Sequence, residues 1–551
     1  MKSSPLPLSA ESVRMRETTR AKYPIDRIGS VRYFELKSLS PRVEYFQGIF
    51  GLNPPAAKIW QICPAQEWKG RSPLKELGIS PLTAQVLLNR GISAPDEARC
   101  FLQPALSDLP DPFSLKDMDK AVIRIADALR REEKITLLGD YDVDGTTATA
   151  LLYLFLESAG GRVDFFIPHR VRDGYGINGE ALKRIAASGS RLVITADCGV
   201  SNLEEIRWAK ENGLEVIVTD HHEVPERLPP ALAILNPKQE DCAYPCKELA
   251  GVGVVFNLAI ALRSSLRREG FFQGGNGPNL KEYLDLVALG TVSDMVPLTG
   301  ANRILAKFGL AELHREARPG IRALKEASGM EGRPVDTTAI HFRLAPRINA
   351  AGRLEDAREA VHLLTTKDPA PARRIARHLN ELNFLRQQIE EKMWTEAKTM
   401  IGGDATDRMK KSIVLASLDW HPGVIGIVAS RLTEEYRCPA ILIALQGNLG
   451  KGSGRSTGSF SLYEGLKTCQ AWMETFGGHE QAAGLVIRAE CISPFSQAFE
   501  EMAARELRER DFLPPLTLDA WTDFDQLNES FIPELEALAP FGTGNPEPVL
   551  G

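Results

Sequence analysis

Leu137-Leu138-Gly139-Asp140-Tyr141-Asp142-Val143-Asp144-Gly145-Thr146-Thr147 is the stretch whose reading decides the fold. Residues 134–138 ahead of it are short and apolar enough for a buried strand. Residues 146–157 behind it read as a helix opened by small and hydroxyl side chains. Between the two, Asp140, Asp142 and Asp144 alternate. Carboxylates crowded at a strand end repel one another and rest there only if solvated, protonated or bound to cations. Gly145 is read as allowing a sharp backbone turn. Taken alone, the segment also reads as an acidic, solvated turn.

Two further runs change that reading. Arg191-Leu192-Val193-Ile194-Thr195-Ala196 ends in Asp197-Cys198-Gly199, and Glu215-Val216-Ile217-Val218-Thr219 ends in Asp220-His221-His222-Glu223. Helical stretches over 181–188 and 202–212 lie between them. Strands alternating with helices at this spacing predict a parallel sheet covered by helices on both faces. In such sheets ligands bind outside the carboxyl ends of the strands. All three acidic ends then meet at one edge, and Asp294, just past a helix predicted over 283–289, is a fourth contributor. Carboxylates with imidazoles form the donor set of Mg²⁺ or Mn²⁺ sites and of two-metal phosphoesterases.

Composition sets the frame. The chain has 551 residues, 43% hydrophobic and 25% charged, which predicts a soluble, multi-domain globular protein. The net charge of −6 leaves a local basic groove possible while excluding a uniformly basic binder. Eight cysteines without framework spacing predict a reducing, cytoplasmic setting. Cys242 and Cys246 lack the second pair that a zinc site needs. No apolar stretch reaches transmembrane length and the first residues show no signal-peptide core, so no membrane partner is expected.

Along the chain, residues 1–67 read as a poorly defined extension and 68–133 as a helical lead-in. The first α/β domain is expected over 134–368. It includes a basic glycine-rich loop at Arg170, close to the acidic edge. Gly251-Val252-Gly253 is read as tight helix packing, since a lone G-x-G is weak evidence for a phosphate loop. Arg343, Arg347 and Arg353 stand with no acid among them, and are either structural or phosphate-contacting. Residues 369–402 form a long helix with one apolar stripe, a connector between two lobes. The second lobe spans 411–509, with strands at 412–416 and 440–444 and a helix opened near His421. Residues 447–456, holding Lys451, Ser453 and Arg455, read as a glycine-rich loop free to wrap an anion. Gly477-Gly478-His479 is a second glycine patch suited to close ligand approach. A new strand opens at Leu516.

Gly139 to Gly145, Asp197-Cys198-Gly199, Asp220-His221-His222 and Ser293-Asp294 together resemble the motifs of the DHH phosphoesterase superfamily. Arg347-Ile348-Asn349-Ala350-Ala351-Gly352-Arg353, the Trp420 to Gly426 segment, Gly452 to Ser456 and Gly477 to His479 narrow the resemblance to its single-strand-specific 5′→3′ DNA exonucleases, the RecJ family. The resemblance implies a parallel-sheet DHH lobe, a long helix, a smaller α/β DHHA1 lobe, and over 514–551 the beginning of an OB-fold domain. It implies two Mn²⁺ or Mg²⁺ ions held by Asp142, Asp144, Asp197, His221 and Asp294, with Asp197 bridging and Asp140 the outermost candidate. His222 would face the scissile phosphate. Arg170, Arg347, Asn349, Arg353, His421, Ser453, Arg455, Gly477, Gly478 and His479 would contact the strand. Implied partners are single-stranded DNA, a single-stranded-DNA-binding protein and a RecQ-type helicase, for an enzyme acting as a monomer in recombination and repair. Two alternatives stay open: another DHH phosphodiesterase, acting on cyclic dinucleotides or nanoRNA, and a non-catalytic scaffold of the same fold.

Overall fold

In a computed structural model of the chain, the described residues are 59–63, 76–170, 172–174, 176–272, 275, 277–402, 410–513, 515–527 and 529–551. Most of the expected N-terminal extension therefore lies outside the described residues. The chain divides into two compact units.

One unit gathers residues up to Gln103 with Leu513–Ala539 and Pro546–Gly551. Strand β1 (Ile59–Ile62) belongs to it, so the expected loose extension contains at least one ordered pairing element. Within the expected helical lead-in, a first helix spans Pro81–Asn89. It starts there because Ser80 caps it, accepting the Thr83 N–H, and Pro81 occupies the first turn. A second helix, Pro95–Leu102, follows.

The other unit carries the chemistry. Strands β2 (Lys134–Gly139), β3 (Arg162–Phe166), β4 (Leu192–Ala196), β5 (Glu215–Thr219) and β6 (Ala233–Leu235) form an all-parallel sheet in the order β3-β2-β4-β5-β6. Alternate residues of the central strands point to opposite faces. Leu192, Ile194 and Ile217 enter the core built with helices Met118–Arg130, Val143–Ser158 and Gly251–Arg268. Val193, Val216 and Val218 enter a second core with helices Gly179–Ala187 and Leu203–Glu211. Both faces are covered, which is why these strands are continuous apolar runs in the sequence.

The connector helix is Pro369–Ile401, capped by Asp368. Beyond it, β7 (Ile413–Ser417), β8 (Ala440–Gln446), β9 (Leu449–Arg455), β10 (Thr475–Gly478) and β11 (Ala482–Arg488) form a mixed sheet in the order β10-β11-β9-β8-β7. Here β7 and β8 are parallel and the other pairs antiparallel.

The glycine-rich segment expected to be an anion-wrapping loop is β9, an interior strand paired to β8 and β11 from Leu449 to Arg455. Its backbone is committed to the sheet ladder. Gly450, Gly452 and Gly454 are glycines because a Cβ at those positions would lie 2.4–2.8 Å from Ile443, Leu485 and Leu462. The period of two then places Lys451, Ser453 and Arg455 together on the opposite face.

The C-terminal strand β12 (Pro515–Leu518) pairs in parallel with β1, and helix Phe531–Leu538 follows it. Both lie in the first unit. Residues Pro540–Asn545 between these C-terminal pieces belong instead to the second unit.

Candidate active site

Five elements deliver the acidic edge. Asp140 directly follows β2 and is buried. Asp142 is the N-cap of helix Val143–Ser158 and accepts the Gly145 N–H at 3.0 Å. Asp144 lies in the first turn, where a carboxylate suits the positive end of the helix. Gly145 does not make the turn expected of it: it sits within the helix, and a Cβ there would come 2.7 Å from Asp140 Cα. Its role is close packing beneath the acids. Asp197 follows β4 with φ 68°, a left-handed conformation costly for a residue with a side chain. Asp220, His221 and His222 follow β5. Asp294 caps the C-terminal end of helix Leu284–Ser293, the end that disfavours a negative charge. Neither the Asp197 backbone nor the Asp294 position favours the fold on its own account.

The side chains converge. Ligand atoms of Asp140, Asp142 and Asp197 lie within 4.8 Å of one another, and so do those of Asp144, His221 and Asp294. The two trios share no residue, and His221 joins them. Its Nε2 is 3.1 Å from Asp197 Oδ1, 3.5 Å from Asp294 Oδ2 and 4.0 Å from Asp144 Oδ2. Asp140 Oδ1, Asp197 Oδ1 and His221 Nε2 are buried without a hydrogen-bond partner. Buried polar atoms are rarely left in that condition unless an ion or water completes them.

Electrostatics agree. Burial, then the Asp142 charge, pushes Asp144 up to about 7. Burial, then Asp144 and Asp142, pushes Asp294 up to about 9. Asp140 and Asp197 are raised well above the ordinary carboxylate range by burial and by their acidic neighbours. Burial and the neighbouring His222 charge push His221 down to about 3, leaving a neutral imidazole free to donate a lone pair. Clustered carboxylates plus one neutral imidazole are the donor set of a divalent-cation site, and cations reverse the repulsion that raises these acids.

A surrounding shell fixes the donors. The backbone N–H groups of Gly251 and Val252, at the start of helix Gly251–Arg268, donate to Asp144 Oδ2 and Oδ1 at 2.7 and 2.9 Å. Gly251 cannot carry a side chain, since its Cβ would lie 2.6 Å from Asp197 Oδ1. The tight packing expected at Gly251 is therefore against the acidic cluster. Asp220, placed at a strand end by the sequence but given no role there, accepts from the N–H groups of His221 at 2.8 Å, His222 at 3.1 Å and Val200 at 2.8 Å. It also pairs with His222 Nδ1 at 2.7 Å. Burial alone would lower His222, but the Asp220 bond and charge outweigh it and push His222 up to about 9. The Asp220 contact therefore fixes the orientation of the His222 ring through Nδ1. Lys238 was also missed; it bridges Glu223 and Glu248 at 2.8 and 3.4 Å and adds positive charge near Asp294. The clue to Asp220 was its place directly before two imidazoles.

A basic group borders the cluster. The Arg170 guanidinium lies over the Tyr141 ring, 4.9 Å from its centroid. Arg170 is near enough to depress Arg353, Lys451 and Arg455, although burial is the larger cause for each. Arg455 Nη1 donates to Ser453 Oγ at 3.2 Å. Arg353 is pushed down to about 9 by burial and by its cationic neighbours, and donates to the Gly423 carbonyl at 3.1 Å, tying the two lobes together. Arg347 is partly spent on structure, its Nε donating to Asn380 on the connector helix at 2.9 Å. Asn349 lines a groove with Phe342, Arg353 and Arg386. His421 Nδ1 accepts the Gly423 N–H at 3.1 Å. Gly477 and Gly478 lie on β10, and the His479 N–H donates to the Ala482 carbonyl at 2.8 Å. The Lys238 hydrogen bond holds Glu223 below its ordinary range, and His479 contributes to the same effect, so His479 stands near the acidic edge.

The model of the DHH family, N-terminal domain, matches residues 134–291, and the DHHA1 domain matches 410–505. The single-stranded-DNA-specific exonuclease RecJ of Dickeya dadantii is 39% identical over 85% of this chain and 82% of its own length. The chain belongs to the RecJ family. The Escherichia coli RecJ is 36% identical over 86% of this chain and 83% of its own. The Bacillus subtilis RecJ is 40% identical over 89% of this chain, which spans 61% of that relative. A crystal structure of the Thermus thermophilus RecJ in complex with Mn²⁺ matches with a TM-score of 0.75 at 36% identity, over 89% of this chain and 68% of that one. A RecJ bound to manganese matches at 0.62 and 39% identity, over 73% and 97%. The RecJ-family fold thus accounts for both the parallel-sheet lobe and the mixed-sheet lobe. Among the described residues no helix is long and apolar enough to cross a membrane.

Proposed function

We propose that the chain is a metal-dependent exonuclease that degrades single-stranded DNA from its 5′ end and releases 5′-mononucleotides. The observation that carries this reading is a cluster of buried and half-buried acids with one neutral imidazole and orphaned donor atoms, bordered by Arg170, Arg353 and Arg455. One cation, Mn²⁺ or Mg²⁺, would be held by Asp142 and Asp197 with Asp140, and a second by Asp144, His221 and Asp294. Such ions supply an activated water and neutralise charge at the phosphodiester during in-line hydrolysis.

The chain's own groups do the rest. Asp220 orients the His222 ring through Nδ1 and raises its basicity, which suits His222 to face the scissile phosphate as a donor. Arg170, Ser453 and Arg455 hold the terminal 5′-phosphate, which carries more charge than an internal diester. Arg353 keeps the second lobe against the acidic edge through Gly423. His479, from that lobe, covers the edge near Glu223. Cytoplasmic action as a monomer in recombination and repair, with a single-stranded-DNA-binding protein and a RecQ-type helicase as partners, belongs to the same proposal. A non-catalytic scaffold has no need of a complete donor set, and this chain retains one.

The test is hydrolysis with Mn²⁺, with Mg²⁺ and with EDTA. Substrates are a 5′-phosphorylated single strand, a blunt duplex of the same sequence and a cyclic dinucleotide. Mononucleotides released in order from the 5′ end, only with metal and only from the single strand, are expected. Turnover of the cyclic dinucleotide with the strand left intact would overturn the proposal.

A further inference from the structure

Asp294 stands at the C-terminal end of helix Leu284–Ser293, where the helix holds it from one side. On its N-terminal side its N–H donates to the Gly290 carbonyl at 2.9 Å. On its other side the chain turns through Met295, at φ 59° and largely exposed, and reaches Leu298 before helix Gly300–Arg315 begins. This link is gripped from residues 540–545. The Leu298 N–H donates to the Thr543 carbonyl at 2.8 Å. Gly542 packs so closely that a Cβ there would lie 2.8 Å from Leu298 Cδ1, and a Cβ at Gly544 would lie 3.0 Å from Pro297 Cβ.

The gripping segment is itself a closed turn. Gly542 and Asn545 exchange backbone hydrogen bonds at 2.8 and 3.0 Å, with Gly544 between them at φ 71°. Buried Asn545 donates from Nδ2 to the Pro540 carbonyl at 2.9 Å. Buried Arg303 donates to the same carbonyl at 3.3 Å. A last contact reaches the helical run that carries the arginine motif. Thr337 Oγ1 donates to the Phe541 carbonyl at 2.7 Å, just ahead of Ile340–Leu344 and Ala345–Leu354. One short turn therefore holds both the Asp294 link and the start of the Arg347–Arg353 helix.

We propose that residues 540–545 are a positioning clip that sets Asp294 for its cation, an inference that rests on the two-cation reading of the site. The clip touches no ligand. It acts through Leu298 and Pro297, and its failure should loosen one cation site and spare the Asp140/Asp142/Asp197 trio.

The experiment titrates the metal-free full chain with Mn²⁺ and follows free Mn²⁺ by electron paramagnetic resonance. Wild type is expected to bind in two steps. Gly542→Ala pushes Leu298 aside and should weaken one step by roughly tenfold or more, the size seen when groups that orient ligands are lost. The other step should be unchanged. The double variant Gly542→Ala/Leu298→Ala removes the atoms that the new methyl meets and should recover the weakened step. A clip with a merely structural role predicts the opposite, since two destabilising changes would compound. Should Gly542→Ala not fold, Thr337→Val, close in shape but lacking the hydroxyl, should weaken the same step by a smaller factor. Unchanged Mn²⁺ binding in the folded variants, or a double variant weaker than the single, overturns the clip. A wild-type chain that binds no Mn²⁺ overturns the two-cation reading itself and the clip with it.

Discussion

Asp220→Asn is the most discriminating perturbation of the site, because it changes one atom in a residue that touches several partners. Asp220 Oδ1 accepts from His221 N–H, His222 N–H and His222 Nδ1, and Oδ2 accepts from Val200 N–H. An asparagine must keep its oxygen toward the three donors, since the flipped amide would face all of them with N–H groups. Its NH₂ then opposes the Val200 N–H, leaving a buried donor unpaired at about 1–3 kcal/mol. The His222 bond also drops from charge-assisted to neutral, a further loss of about 1 kcal/mol. The total is about 2–4 kcal/mol of local stability. Loss of the carboxylate also removes what holds His222 up to about 9, so its titration should fall toward the ordinary histidine range. Turnover should fall by roughly 10–100-fold, as for other groups that orient functional histidines. The assays are kcat and KM on a 5′-phosphorylated single strand across pH, and histidine ring NMR for the titration. A folded variant with wild-type turnover and an unmoved His222 titration would refute the reasoning.

Asp197→Asn should abolish turnover yet leave the metal-free fold more stable by about 1–2 kcal/mol, because it removes one charge from a repelling cluster and asparagine tolerates a left-handed backbone; urea unfolding without metal checks this, and a folded, active variant would exclude the site. With Asp144 raised to about 7 and Asp294 to about 9, the metal-free fold binds protons that the unfolded chain has released, so its stability should fall as pH rises through 7 to 9. Mn²⁺ must displace those protons, so its thermal stabilisation, about 2.7 kcal/mol at a hundredfold excess over Kd, should be reached at lower metal concentration at pH 9 than at pH 6; calorimetric scans showing no such trend would contradict the ligand set. Arg455→Ala should weaken binding of 5′-phosphorylated strands by about 1.5–3 kcal/mol and leave Mn²⁺ affinity unchanged; equal losses on 5′-phosphate and 5′-hydroxyl strands would show that Arg455 does not read the terminal phosphate.

What the chain announces by itself is whatever neighbouring residues decide. The apolar runs ending in Asp140, Asp197 and Asp220 mark parallel strands, because both faces of each strand are buried and nothing polar can interrupt them. That pattern alone carries the donors to one edge, and all of Asp140, Asp142, Asp144, Asp197, His221, His222 and Asp294 do meet there. The apolar stripe of the connector is equally local, and its helix runs from Pro369 to Ile401. Tertiary structure decided the rest. Alternating glycines from 450 to 454 suggest a loop, and only the bulk of Ile443, Leu485 and Leu462 across the sheet explains why a strand needs them. Asp220 reads from sequence only as a strand-end acid, and its hold on His222 appears when the fold brings Val200 N–H and the His222 ring to it. Gly251 and Thr543 matter because the fold sets them against Asp144 and Leu298, contacts spanning 107 residues in the first case and more than two hundred in the second. Periodicity records which face of an element is buried. Which groups meet across such distances depends on packing, and packing has no local signature.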